Sequence, residues 1–110
     1  MSPQHSAEQV SVDLAEIAPG EFRLVECGSR KALLCNVGGE FFAVAERCTH
    51  AAFSLAAGRL TGWRIECPLH GAQFDVRDGS PVRLPGSKPL DTHAVAIDGE
   101  CAVIDFASSR

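Results

Sequence analysis

The sequence predicts an all-β domain, an antiparallel barrel or sandwich, on three observations. Two-residue turn signals recur between apolar segments at Gly38-Gly39, Asp78-Gly79 and Asp98-Gly99. Many short strand-like segments follow one another at regular spacing with polar turns. Helical periodicity is nearly absent.

The elements follow in chain order. The opening "MSPQHSAEQV" has no basic stretch followed by an apolar one, so it reads as a flexible leader over residues 1–10 rather than a signal peptide. "DLAEIAP" offers one helical turn, capped by Asp13 and stopped by Pro19. After the Pro19-Gly20 turn, "EFRLVE" is a strand. "ALLCNV" and "EFFAVA" pair around Gly38-Gly39, and "GRLTGWRIEC" holds two short strands around Thr61-Gly62. "AQFDV" and "PVR" flank Asp78-Gly79, "RLPGSKP" is a loop, and "THAVAI" pairs with "ECAVIDF" around Asp98-Gly99. A chain of 110 residues with no internal repeat and no linker is one domain, residues 1–110.

Composition narrows the function. The net charge is −4, which argues against nucleic acid, and no apolar run could span a bilayer. With no secretory signal a cytoplasmic location is expected. Charge is unevenly spread. Residues 41–90 hold six basic and four acidic side chains, and the flanks together sum to −6. That is a solvated surface, or a mildly positive face for acidic partners. Five cysteines in such a chain do not suggest a disulfide framework. Cys35 and Cys101 sit in apolar stretches and read as packing residues, and Cys27 adjoins a Gly-Ser turn.

Cys48 and Cys67 remain, and each has a histidine beside it. The pattern is Cys48-x-His50, sixteen intervening residues, then Cys67-Pro68-Leu69-His70. Each pair stands where a strand runs into a loop, so two loops can bring two thiolates and two imidazoles round one point. Such a set could hold structural zinc tetrahedrally. Zinc sites more often pair Cys with Cys and His with His, whereas here each loop supplies one of each. A binuclear iron–sulfur centre suits that arrangement, one iron taking both thiolates and the other both imidazoles. Trp63 reads as a half-buried strand residue. His93 has no companion ligand, and His5 lies in the leader.

"CTH…CPLHG" resembles the signature of Rieske iron–sulfur proteins. From about Val12 to Phe106 the chain is similar to the small ferredoxins of bacterial aromatic-ring-hydroxylating dioxygenase systems. It shares the "PGE" turn, the "GGEFFAVAERCTH" segment and the late "PL" before the final hairpin. The resemblance implies a Rieske fold with a cluster-binding part over about 44–80, and one 2Fe–2S cluster. Cys48 and Cys67 would ligate one iron, and His50 and His70 the other. It implies a one-electron carrier, not itself an enzyme. Electrons would come from a flavin-dependent ferredoxin reductase using NADH or NADPH, and pass to a terminal oxygenase with its own Rieske centre. A monomer is expected. Two alternatives stand beside it: the small subunit of an assimilatory nitrite reductase, and a zinc-stabilised interaction module.

Ligand charge bears on the potential. Two thiolates leave the oxidised cluster neutral where four would leave a dianion, so mixed ligation eases reduction. Rieske centres span about −150 to +300 mV, against about −400 mV for plant-type ferredoxins. High-potential respiratory members carry a disulfide between the two loops, where this chain has Phe53 and Leu69. They also place a serine and a tyrosine where it has Ala72 and Phe74, and this chain contains no tyrosine. Without hydroxyl donors to the cluster sulfurs, a potential near the bottom of the range is expected. Pro68 is expected to fix the second loop, and Gly71 to let backbone approach the cluster.

Overall fold

The computed structural model describes residues 8–47, 54–68, 71–83 and 88–109. A six-stranded antiparallel sheet forms the base, in the order β1 (Gln9–Asp13), β10 (Cys101–Ser109), β9 (Thr92–Asp98), β4 (Glu40–Ala45), β3 (Arg30–Val37), β2 (Phe22–Cys27). A second, four-stranded antiparallel sheet follows chain order: β5 (Arg59–Thr61), β6 (Arg64–Glu66), β7 (Gln73–Asp75), β8 (Pro81–Arg83). The expected all-β architecture is therefore present. No described helix is long and apolar enough to cross a membrane.

The turns follow the residues that favour them, with small shifts. Val37 pairs with Glu40, leaving Gly38-Gly39 as the two-residue turn with positive φ at both positions. Two expected turns slide by one residue. Thr61 pairs with Arg64 and Asp98 with Cys101, so the turns are Gly62-Trp63 and Gly99-Glu100. Asp78-Gly79 sits inside a longer connection, Val76–Ser80. There the Asp78 carboxylate accepts from the backbone N–H and the hydroxyl of Ser80. The helical turn is a single 3₁₀ turn, Leu14–Glu16, with the Asp13 carboxylate accepting from the Ala15 N–H as its cap. β1 was not expected, because it begins at Gln9 within the anticipated leader. Its alternating, largely polar residues carry little apolar signal, and it is held by pairing with β10.

β3 explains how the two sheets meet. Ala32 to Asn36 are all buried, which requires cover on both faces, because successive strand residues point to opposite sides. Ala32 and Leu34 face one apolar cluster with Val25, Ala43, Ala102, Ile104 and Phe106, inside the base. Leu33 and Cys35 face the other with Val44, Leu55, Ile65, Cys67, Phe74 and Leu90, so the small sheet packs on the opposite side of β3 and β4. Buried Asn36 is satisfied: its amide donates to the Ile17 carbonyl (2.8 Å) and accepts from the Gly39 N–H (2.8 Å).

Candidate metal centre

Both halves of the Cys/His pattern follow strands, β4 and β6, that pack in the second apolar cluster. The first loop runs from β4 to β5. Its base is closed by the Leu55 N–H donating to the Glu46 carbonyl (2.7 Å) and by a bridge between Arg47 and Ser54. Ser54 then caps a short 3₁₀ turn, Leu55–Ala57, its hydroxyl accepting from the Ala56 N–H. Leu55 is fully buried and anchors this end of the loop. Cys48, His50 and Phe53 fall in 48–53, outside the described residues.

The second loop joins β6 to β7. The Cys67 N–H donates to the Ala72 carbonyl (2.7 Å), and the Gly71 N–H donates to the Cys67 carbonyl (3.0 Å). Gly71 adopts φ +75°, a left-handed conformation that closes this turn and that a side chain would strain. Cys67 is fully buried against Leu33, Leu55, Ala72 and Phe74. Leu69 and His70 lie outside the described residues; Pro68 is exposed at the loop's start.

The two loops meet through backbone. Gly58 ends the 3₁₀ turn of the first loop, and a Cβ there would lie 1.9 Å from the carbonyl oxygen of Glu66, the residue before Cys67. Only glycine permits that approach. Sequence reasoning missed this contact; its one visible signal is the glycine following "LAA". Two loops pinched at their bases and pressed together in this way fit a centre that draws one thiolate and one imidazole from each. Among the described residues, no group of three or more His, Cys, Asp or Glu is placed to hold a metal, and Cys67 alone of the four candidates is described.

The positions read as lacking hydroxyl donors are apolar in the fold as well. Ala72 and Phe74 are fully buried in the cluster that contains Cys67. The other cysteines sit apart from the pattern. Burial pushes the Cys35 thiol up to about 12, while Cys27 and Cys101 are half-buried. The His93 ring stacks at a tilt on Phe106, with centroids 5.0 Å apart. Trp63 is half-buried, as expected, and the guanidinium groups of Arg64 and Arg77 lie 4.9 and 4.4 Å from its ring centre. Arg77 is held there by the buried carboxylate of Asp75, an arrangement the sequence reading did not anticipate.

A β base carrying two braced loops with a split Cys/His pattern fits an iron–sulfur protein of mixed ligation. Residues 7–102 match the Rieske [2Fe-2S] domain, and the chain belongs to that family; its cofactor is one Rieske 2Fe–2S cluster. It is 43% identical over 91 residues to the ferredoxin component of biphenyl 2,3-dioxygenase from Rhodococcus jostii strain RHA1, covering 83% of this chain and 85% of that protein. It is 40% identical over 98 residues to the biphenyl dioxygenase ferredoxin subunit of Pseudomonas sp. strain KKS102, covering 88% of each. Among solved structures, a complex of reduced oxygenase and oxidised ferredoxin in carbazole 1,9a-dioxygenase contains a similar chain. The TM-score is 0.87 at 31% identity, covering 92% of this chain and 95% of that one.

Proposed function

We propose that this chain is the ferredoxin component of an aromatic-ring-hydroxylating dioxygenase system, a one-electron carrier rather than an enzyme. The observation that carries the reading is the pair of anchored loops, joined at Gly58 and Glu66, in a chain whose relatives over most of its length are dioxygenase ferredoxins. It takes electrons from an NAD(P)H-dependent flavin reductase and delivers them to a terminal oxygenase with its own Rieske centre. A carbazole dioxygenase ferredoxin bound to its oxygenase supports the second partner. The nitrite-reductase and zinc-module readings find no support among these relatives.

Cys48 and Cys67 hold one iron of the cluster, and His50 and His70 the other. The cluster supplies reversible one-electron transfer. The protein's part is to bring the four ligands together, keep the Cys67 side in apolar packing and withhold hydroxyl donors at Ala72 and Phe74. Those features favour a potential at the low end of the Rieske range. The whole chain, 1–110, acts as a single domain with the cluster-binding part at about 44–80, as a cytoplasmic monomer.

A reductive titration followed by electron paramagnetic resonance tests this reading. A mixed-ligand cluster gives a lower average g value than an all-cysteine one, with a midpoint near −150 mV. A colourless protein containing zinc would end the electron-transfer reading. A midpoint hundreds of millivolts higher would end the low-potential one.

A further inference from the structure

Glu66 touches the bases of both loops through different atoms. Its carbonyl oxygen occupies the space that a side chain on Gly58 would need. Its carboxylate reaches the second loop, with Oε2 3.5 Å from where a Cβ on Gly71 would stand. The residue is half-buried and directly precedes Cys67. Neither ion pair recorded between described residues, Arg23 with Glu16 or Arg77 with Asp75, involves this carboxylate. Arg59, its cross-strand partner on β5, is exposed.

We propose that Glu66 is a fixed negative charge that lowers the reduction potential of the centre. This inference rests on the proposed ligand set, in which Cys67 and His70 flank the loop the carboxylate lies against. Reduction adds one electron, and hence one negative charge, to the centre. A nearby carboxylate opposes that charge. Glu66 thus adds to the effect of the missing hydroxyl donors, acting through charge where they act through hydrogen bonding.

The test is potentiometric titration of the purified holoprotein and its Glu66→Gln variant, monitored by visible absorbance and paramagnetic resonance. Glu66→Gln keeps the shape and removes the charge. The reduction equilibrium should shift at least fourfold toward the reduced form, about 35 mV upward at 59 mV per tenfold for one electron. Arg59→Gln removes the facing positive charge and should move the midpoint downward. It also keeps the test decisive if Glu66→Gln fails to assemble a cluster. Glu26→Gln, an exposed position on β2, should leave the midpoint where it is. An unmoved midpoint in Glu66→Gln with intact cluster content overturns the proposal, as does an upward or absent shift in Arg59→Gln. Either result leaves the carrier reading standing, because that reading fails only if the parent protein itself lacks a Rieske signal.

Discussion

Replacing Gly58 by alanine tests whether the two loops are held together by backbone contact. The new Cβ would stand 1.9 Å from the Glu66 carbonyl oxygen, at least 1.1 Å inside the 3.0 Å that real Cβ contacts respect. It would also meet the Leu55 carbonyl oxygen at 3.1 Å, so it cannot move away from one without pressing on the other. Neither obstacle is a flexible side-chain tip. Glu66 is paired with Arg59 on one side and Gln73 on the other, so a retreat of its carbonyl strains both ladders. Overpacking of this kind costs about 3 kcal/mol, the upper part of its usual range. For a chain of this size that lowers the melting temperature by on the order of 15 °C. Calorimetry of the holoprotein measures the loss, and visible absorbance per polypeptide measures whether the cluster is retained. Gly28→Ala is the comparison. That glycine has open space around it but a φ of +64°, so alanine there costs about 1 kcal/mol through backbone strain alone. If Gly58→Ala melts within about 3 °C of the parent, well under 1 kcal/mol, the contact is not what joins the loops.

Three further outcomes are expected. Cys35 should resist alkylation in the folded protein at mildly alkaline pH and react on unfolding. Burial raises its pKa from 9.0 to about 12, so its stabilising contribution is complete below pH 9.0 and is lost as pH rises toward 12; Cys35→Ala should flatten the stability curve there, as read by denaturant titration. His70→Cys should lower the midpoint potential, because it adds thiolate charge; an unchanged potential would remove His70 from the ligand set. Leu33→Ala and Leu34→Ala should each cost about 2–5 kcal/mol by denaturant unfolding. Leu33→Ala alone should also speed cluster loss, since Leu33 faces the apolar cluster that contains Cys67 and Leu34 faces the base interior.

The strands with strong apolar content were legible in the sequence, and so were the turns that glycine pairs favour. β3, β4, β9 and β10 fall where "ALLCNV", "EFFAVA", "THAVAI" and "ECAVIDF" place them. β1 was not legible, because a polar strand bonded to a neighbour carries its information in the pairing partner. The one-residue shifts at Gly62-Trp63 and Gly99-Glu100 have a similar origin: register is decided by the whole ladder, not by the two residues at its end. The cofactor was legible because thiols and imidazoles at short spacing are rare. Its mechanical support was not. Gly58 and Glu66 carry no motif, and their roles follow from which backbones are brought within contact.

The arrangement also accounts for how the proposed ligands stand on loops whose stems are fixed. A loop tip is free to expose imidazoles to a partner, but its conformational freedom opposes tight ligand geometry. Here that freedom is removed at the stems. Glu46 and Leu55 pinch the first loop, Cys67 and Ala72 the second, and Gly58 against Glu66 leaves little play between them. Leu55, Cys67 and Ala72 are then fixed to β3 and β4 by one continuous apolar cluster. Because β3 is buried on both faces, any movement of that support would have to disturb the base interior as well. Electron transfer changes charge and little else, so it is served by a frame that moves little when an electron arrives. The same rigidity holds Glu66 beside Gly71 of the second loop, where the proposed action of its charge needs no change of shape.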